Sequence, residues 1–140
     1  MDESDNSGDM SFSASPFKKV LVVDDILYVV KSISKILQDE GYFVVTATTG
    51  KEAMFKCKQF APNLVTIDQR LPDMTGLQLA EKISALAGIR RPKIVFISSV
   101  YDKEEIREIM SHKIDDYLLK PFEKAKLVET VMRLIGKARA

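Results

Sequence analysis

Five short apolar runs, at 19–23, 43–47, 63–67, 93–97 and 115–119, alternate along the chain with longer amphipathic stretches. Two of the runs, VLVV and IVFI, are apolar without interruption, as expected of strands covered on both faces. Between the runs, apolar residues return every three or four positions, the spacing of one helical face. Val29, Ile33, Ile36 and Leu37 make the first such stripe, and Ala53, Cys57 and Phe60 the second. Leu79, Ile83 and Leu86 follow, then Ile106, Ile109 and Met110, and finally Leu127, Val131, Leu134 and Ile135. Helix starts are also legible: Thr49 with Glu52 and Thr75 with Gln78 have capping-box spacing, and Asp102 is placed to cap the fourth helix. Strand and helix in strict alternation predict an α/β fold, doubly wound, with right-handed crossovers.

Composition changes that picture at one end. Residues 1–16 are rich in Ser, Asp and Gly and have little to bury, so they read as a disordered acidic tail ahead of one domain over 17–140. The formal net charge is +1, but Asp2, Glu3, Asp5 and Asp9 meet no base before Lys18, so the rest carries about +5. That excess is small, and no Arg/Lys stripe is interleaved with aromatics, which argues against direct nucleic-acid binding. Cys57 is the single cysteine, which excludes an internal disulfide and a cysteine-based zinc cluster and reads as a small core residue. No apolar run is long enough to span a membrane, and the start of the chain is acidic rather than basic, so the expected location is the cytoplasm.

Candidate chemistry sits where the runs end. The first stops at Asp24-Asp25, the third at Asp68, the fourth at Ser98-Ser99 and the fifth at Lys120-Pro121. In an open parallel sheet the carboxyl ends of the strands share one edge, where ligands bind. Taken singly, each group has a plainer reading: Asp24 or Asp25 as a helix cap, Ser98 as a turn residue, Lys120 as a solvated loop side chain. Together they bring three carboxylates, a hydroxyl and an ammonium to one place. Clustered carboxylates resist ionising without a counter-charge, and a hard divalent cation supplies one. Mg²⁺ takes oxygen ligands and needs only one or two carboxylates, which suits Asp25 and Asp68 with Asp24 assisting. His112 is the only histidine and falls near a predicted helix end, so a zinc or iron site is not indicated. An Asp so held can attack phosphorus, with Lys120 neutralising phosphoryl oxygens and Ser98 donating a hydrogen bond.

The runs VLVVDD, VTIDQRLPDMTG, IVFISS and DDYLLKPF resemble the receiver domain of bacterial two-component response regulators, from Phe17 to about Lys137. The resemblance implies a flavodoxin-like five-stranded parallel sheet in the order 2-1-3-4-5 with helices on both faces. It implies Asp68 as phosphoacceptor, Asp24 and Asp25 as the acidic pair for Mg²⁺ (Mn²⁺ able to substitute), and the Arg70 backbone carbonyl as a further metal ligand. Ser98 and Tyr117 match the switch pair, in which the ring moves inward as the hydroxyl shifts toward the phosphoryl group. Lys120 matches the site lysine, and its bond to Pro121 is expected to be cis. The partners so implied are a sensor histidine kinase or a histidine phosphotransfer protein.

Departures from the family pattern mark where this chain can differ. Lys113-Ile114 stands where Gly-Ala is usual, so either a left-handed Lys is strained by about 1 kcal/mol or the turn is built another way. In the second case Tyr117 can already lie inward at rest. Gln69, Arg70 and Val100 flank the approach to Asp68, where they are expected to tune hydrolysis of the aspartyl phosphate. A receiver-like interaction domain that works without phosphorylation is the alternative, though it leaves the retained acids, hydroxyl and lysine without a role. A hydrolase of the haloacid-dehalogenase type needs a second Asp where Arg70 stands. No effector module follows the last helix, so output is expected through the domain's own surface, not through turnover as an enzyme.

Overall fold

A computed structural model describes residues 17–138. The expected tail over 1–16 lies outside them. The strands are β1 (Lys19–Val23), β2 (Phe43–Ala47), β3 (Leu64–Ile67), β4 (Lys93–Ser98) and β5 (Asp116–Leu119). The helices are α1 (Leu27–Asp39), α2 (Gly50–Phe60), α3 (Gly76–Ser84), α4 (Lys103–Met110) and α5 (Lys124–Ile135). All strand pairs are parallel, and the sheet order is β2-β1-β3-β4-β5, as the family resemblance implied.

Side-chain alternation along each strand divides the core into two halves. Leu21, Val23, Val65, Ile67, Ile94 and Phe96 point to the face covered by α2, α3 and α4. Val20, Val22, Leu64, Val95, Ile97 and Leu118 point to the face covered by α1 and α5. Because β1, β3 and β4 are buried on both sides, their sequences lack polar alternation. Cys57 is fully buried against the first half, and burial pushes its thiol up to about 12.

Boundaries differ from the sequence reading by one residue at three places, each for a local reason. Asn63 lies before β3 because its side-chain Oδ1 accepts from the Lys19 N–H at 2.7 Å, locking it beside the start of β1. Asp115 lies before β5 in the same way, its Oδ2 accepting from the Ile94 N–H at 2.8 Å. Ser98 closes β4, its carbonyl accepting from the Lys120 N–H at 2.9 Å. Thr75 and Gln78 form the full capping box, and Asp102 caps α4 by accepting from the N–H groups of Glu104 and Glu105. Thr49 caps α2, but the Glu52 carboxylate reaches the Thr48 N–H instead of that of Thr49, so only half of the second box forms.

At the Lys113-Ile114 departure, no left-handed residue is used. Among the described residues, Ala61 is the one non-glycine with positive φ. The turn after α4 is closed by His112 N–H to the Ile109 carbonyl at 3.2 Å and Ile114 N–H to the His112 carbonyl at 2.8 Å. A guanidinium N–H of Arg91 donates to the Lys113 carbonyl, so a distant side chain supports the backbone there.

Candidate functional site

β1 ends at Val23, and the following Asp24 is only 1% exposed. Its Oδ1 accepts from the Ile26 N–H at 2.9 Å, which turns the chain toward α1. The cap position of α1 is Ile26, which offers no side-chain oxygen, so neither Asp24 nor Asp25 is a helix cap. Asp25 is exposed beside it. β3 delivers Asp68, 5% exposed, and one carboxylate oxygen from each of the three Asp residues lies within 4.8 Å of the others. β5 leads to Lys120, whose peptide bond to Pro121 is cis. The Lys120 ammonium lies 2.6 Å from Asp24 Oδ2 and 3.8 Å from Asp68 Oδ2.

The electrostatics follow from this crowding. Burial raises the Asp68 carboxyl above its ordinary value; Lys120 pulls it down, Asp24 pushes it up, a Ser98 hydrogen bond lowers it and Asp25 raises it. One ammonium faces three carboxylates, so the site carries uncompensated negative charge at neutral pH. A hard cation with oxygen ligands fits that donor set.

A family model described as the response regulator receiver domain matches residues 20–132. The chain belongs to that family. The chemotaxis protein CheY of Treponema pallidum is 34% identical to it, across 88% of this chain and 85% of the relative. The CheY of Thermotoga maritima is 30% identical, across 84% of this chain and 97% of the relative. A solved CheY-like receiver domain from Methanospirillum hungatei has a TM-score of 0.76 at 31% identity, covering 84% of this chain and 92% of its own. This receiver domain is therefore a two-component signalling domain of the phosphoacceptor class, and its acidic group stands at the sheet edge where that chemistry is expected.

Ser98 is fully buried at the end of β4, where its Oγ accepts from the Val100 N–H at 3.2 Å. Tyr117 is half-buried, not solvent-facing: its ring stacks on Phe96 at 6.1 Å between centroids and its hydroxyl donates to the Val100 carbonyl at 2.5 Å. The inward arrangement is the one the rebuilt Lys113-Ile114 turn left open. The Arg70 side chain pairs with Glu105 of α4 at 3.2 Å. His112 stays outside the site, its Nδ1 lying 3.3 Å from Glu81 Oε2.

Two supports of the site, Gly76 and Asp73, escaped the sequence reading, and a third, Gln69, was read only as flanking the approach to Asp68. A Cβ on Gly76 would stand 2.5 Å from the Asp68 carbonyl oxygen, so only glycine lets α3 start against the loop that follows β3. Asp73 bonds the N–H groups of Gly50 and Lys51 at 2.8 and 2.9 Å, pinning that loop to the start of α2. Gln69 is buried and two-handed, accepting from the Leu77 N–H at 3.0 Å and donating to Glu105 at 3.3 Å. The Gly in DMTG and the Asp before it were visible, but nothing in the spacing said which backbone each would meet.

Proposed function

We propose that this domain takes a phosphoryl group from a phosphohistidine donor onto Asp68 and later releases it by hydrolysis. Asp24, Asp25, Asp68 and the Arg70 carbonyl would hold Mg²⁺, or Mn²⁺ in its place. The bound cation would offset carboxylate and phosphoryl charge as the donor approaches. What carries the reading is the buried Asp68 carboxylate within 4.8 Å of two further carboxylates and 3.8 Å from an ammonium.

In the transfer, an Asp68 oxygen forms the new O–P bond as the donor's N–P bond breaks, and the imidazole departs with the electron pair. Lys120 steadies the acceptor and then pairs with a phosphoryl oxygen. The Ser98 hydroxyl donates a hydrogen bond to another, and Tyr117 follows the movement of β4's end. Water attack on phosphorus restores the Asp68 carboxylate. The response-regulator relatives support a histidine kinase, or a phosphotransfer protein that carries phosphohistidine, as donor. Among the described residues no helix is long and apolar enough to cross a membrane.

Incubation with acetyl phosphate and Mg²⁺ should raise the intact mass by one phosphoryl group, and Asp68→Asn should abolish the gain because an amide is a poor nucleophile. Full labelling of that variant would reject Asp68 as the acceptor.

A further inference from the structure

α4 is held to the domain by little apolar surface, since of Lys103–Met110 only Ile109 is buried. Arg107 pairs within the helix, with Glu104 at 2.9 Å. Glu105 instead reaches the loop after β3. Its Oε2 accepts from Gln69 Nε2 at 3.3 Å and from one terminal nitrogen of Arg70 at 3.2 Å, while its Oε1 accepts from the other at 3.4 Å. An isolated ion pair on a surface contributes little. Here N–H groups from two successive residues meet one half-buried carboxylate, and one of the donors, Gln69, is itself buried.

Those two residues directly follow Asp68. Gln69 is fixed at three points, because its backbone carbonyl also accepts from the Gly76 N–H at 2.8 Å and its side-chain oxygen from the Leu77 N–H at 3.0 Å. Arg70 is paired with Thr75 in an isolated antiparallel bridge. Yet among the described residues no N–H or O–H donates to the Arg70 carbonyl. The loop and the guanidinium clasp thus restrain Arg70 while leaving its carbonyl free to accept. A ligand atom held this way has less freedom to lose when a cation binds, so its restraint adds to affinity.

Resting on the reading that the Arg70 carbonyl joins Asp24, Asp25 and Asp68 around Mg²⁺, we propose that Glu105 is a positioning residue for that metal. By clasping the Arg70 guanidinium and the Gln69 amide, it holds the carbonyl ready and ties α4 to the acceptor. Coupling of this kind is reciprocal. Whatever factor the docked α4 adds to metal affinity, bound metal adds to the docking of α4. The state of the sheet edge then reaches α4 through Gln69 and Arg70, separately from any movement of Ser98 and Tyr117.

Mg²⁺ titrations of the full chain at fixed ionic strength, followed by amide shifts, separate positioning from simple charge. Through-space attraction alone has E105Q weaken Mg²⁺ binding and R70M strengthen it, since R70M removes a repelling cation and frees the Glu105 charge. Positioning has both weaken it. Each should raise the Mg²⁺ Kd by about three- to tenfold, at or below the about 10–100-fold typical of outer-shell partners of metal ligands. The double variant should be no weaker than the weaker single, because the same clasp is lost once. E104Q removes a charge from the same helix, from a carboxylate whose ion pair is with Arg107, and should stay within about twofold of the parent. Saturating Mg²⁺ should also slow Ile109 amide exchange in the parent by the factor lost in E105Q, and leave it unchanged in that variant. R70M binding Mg²⁺ as tightly as the parent, or more tightly, would overturn the proposal. D25A keeps that failure apart from failure of the metal site. No Mg²⁺-dependent shift in the parent, or shifts that D25A leaves untouched, would overturn the site and this inference with it. Shifts lost in D25A but retained at full affinity in R70M would overturn the role of Glu105 alone.

Discussion

Asp68→Asn should stabilise the metal-free domain at neutral pH while removing its proposed chemistry. The magnitude follows from the distances. Two carboxylates have oxygens within 4.8 Å of Asp68. At an effective dielectric of about 20 each repels it by about 3.5 kcal/mol or more, whereas Lys120 at 3.8 Å attracts it by about 4.4 kcal/mol. Asp25 is exposed and its share is cut by solvent, while burial adds a desolvation cost, so a net gain of about 1–3 kcal/mol is expected on neutralising Asp68. For a domain of this size that is a rise in Tm of about 3–15 °C. The pH dependence has a definite sign. The Asp68 value is raised on folding, so the folded state holds the proton over a pH range where the unfolded chain has lost it. Stability therefore falls as pH rises through that range, and the mutant's gain is full above the folded value and fades below it toward the ordinary carboxylate value. Urea unfolding of both proteins across pH, with and without saturating Mg²⁺, reads this out. A variant no more stable than the parent at pH 7 without metal would refute the electrostatic account, as would a gain that persists undiminished when Mg²⁺ occupies the site.

Three further outcomes are expected. Asp25→Ala should weaken Mg²⁺ binding by about tenfold or more, equivalent to about 1.4 kcal/mol, and an unchanged calorimetric titration would remove Asp25 from the site. Ser98→Ala should still accept the phosphoryl group, yet lose about 1–3 kcal/mol of stability because the Val100 N–H loses its buried acceptor; beryllofluoride should then shift the Tyr117 amide less than in the parent. Ala61→Gly should raise stability by about 0.5–1 kcal/mol in urea titration, since the C-cap of α2 sits at φ 47° and a left-handed L-residue is strained by about 1–2 kcal/mol, of which glycine's greater unfolded entropy cancels part.

What could be read from the chain was what is local or repeated. VLVV and IVFI announced buried strands because nothing polar interrupts them, and the acids, hydroxyl and lysine announced a site because each follows such a run. The sheet order came through resemblance, since hydrophobic periodicity says which face is buried but not which strand lies alongside. The unread features depend on contacts between distant segments: Gly76 against the Asp68 carbonyl, Asp73 at the start of α2, Arg91 under the Lys113 carbonyl. Ala61 was hidden for another reason. Its neighbour Pro62 marks a helix end, but alanine gives no sign of a left-handed backbone.

The half-buried Tyr117 sharpens how a change at Asp68 would be felt at a distance. Val100 is held from both sides, its N–H by Ser98 Oγ at 3.2 Å and its carbonyl by the Tyr117 hydroxyl at 2.5 Å. Rotation of Ser98 toward a phosphoryl group would leave the Val100 N–H without its acceptor at a nearly buried position, an arrangement that costs about 1–3 kcal/mol until the segment shifts. The shift has to carry the Val100 carbonyl with it, because amide and carbonyl belong to one short turn after β4. The Tyr117 ring is then either drawn along or released, and its stacking on Phe96 limits the alternatives to a few discrete packings. Val100, which the sequence offered only as a residue flanking the approach to Asp68, is thus the physical link between hydroxyl and ring.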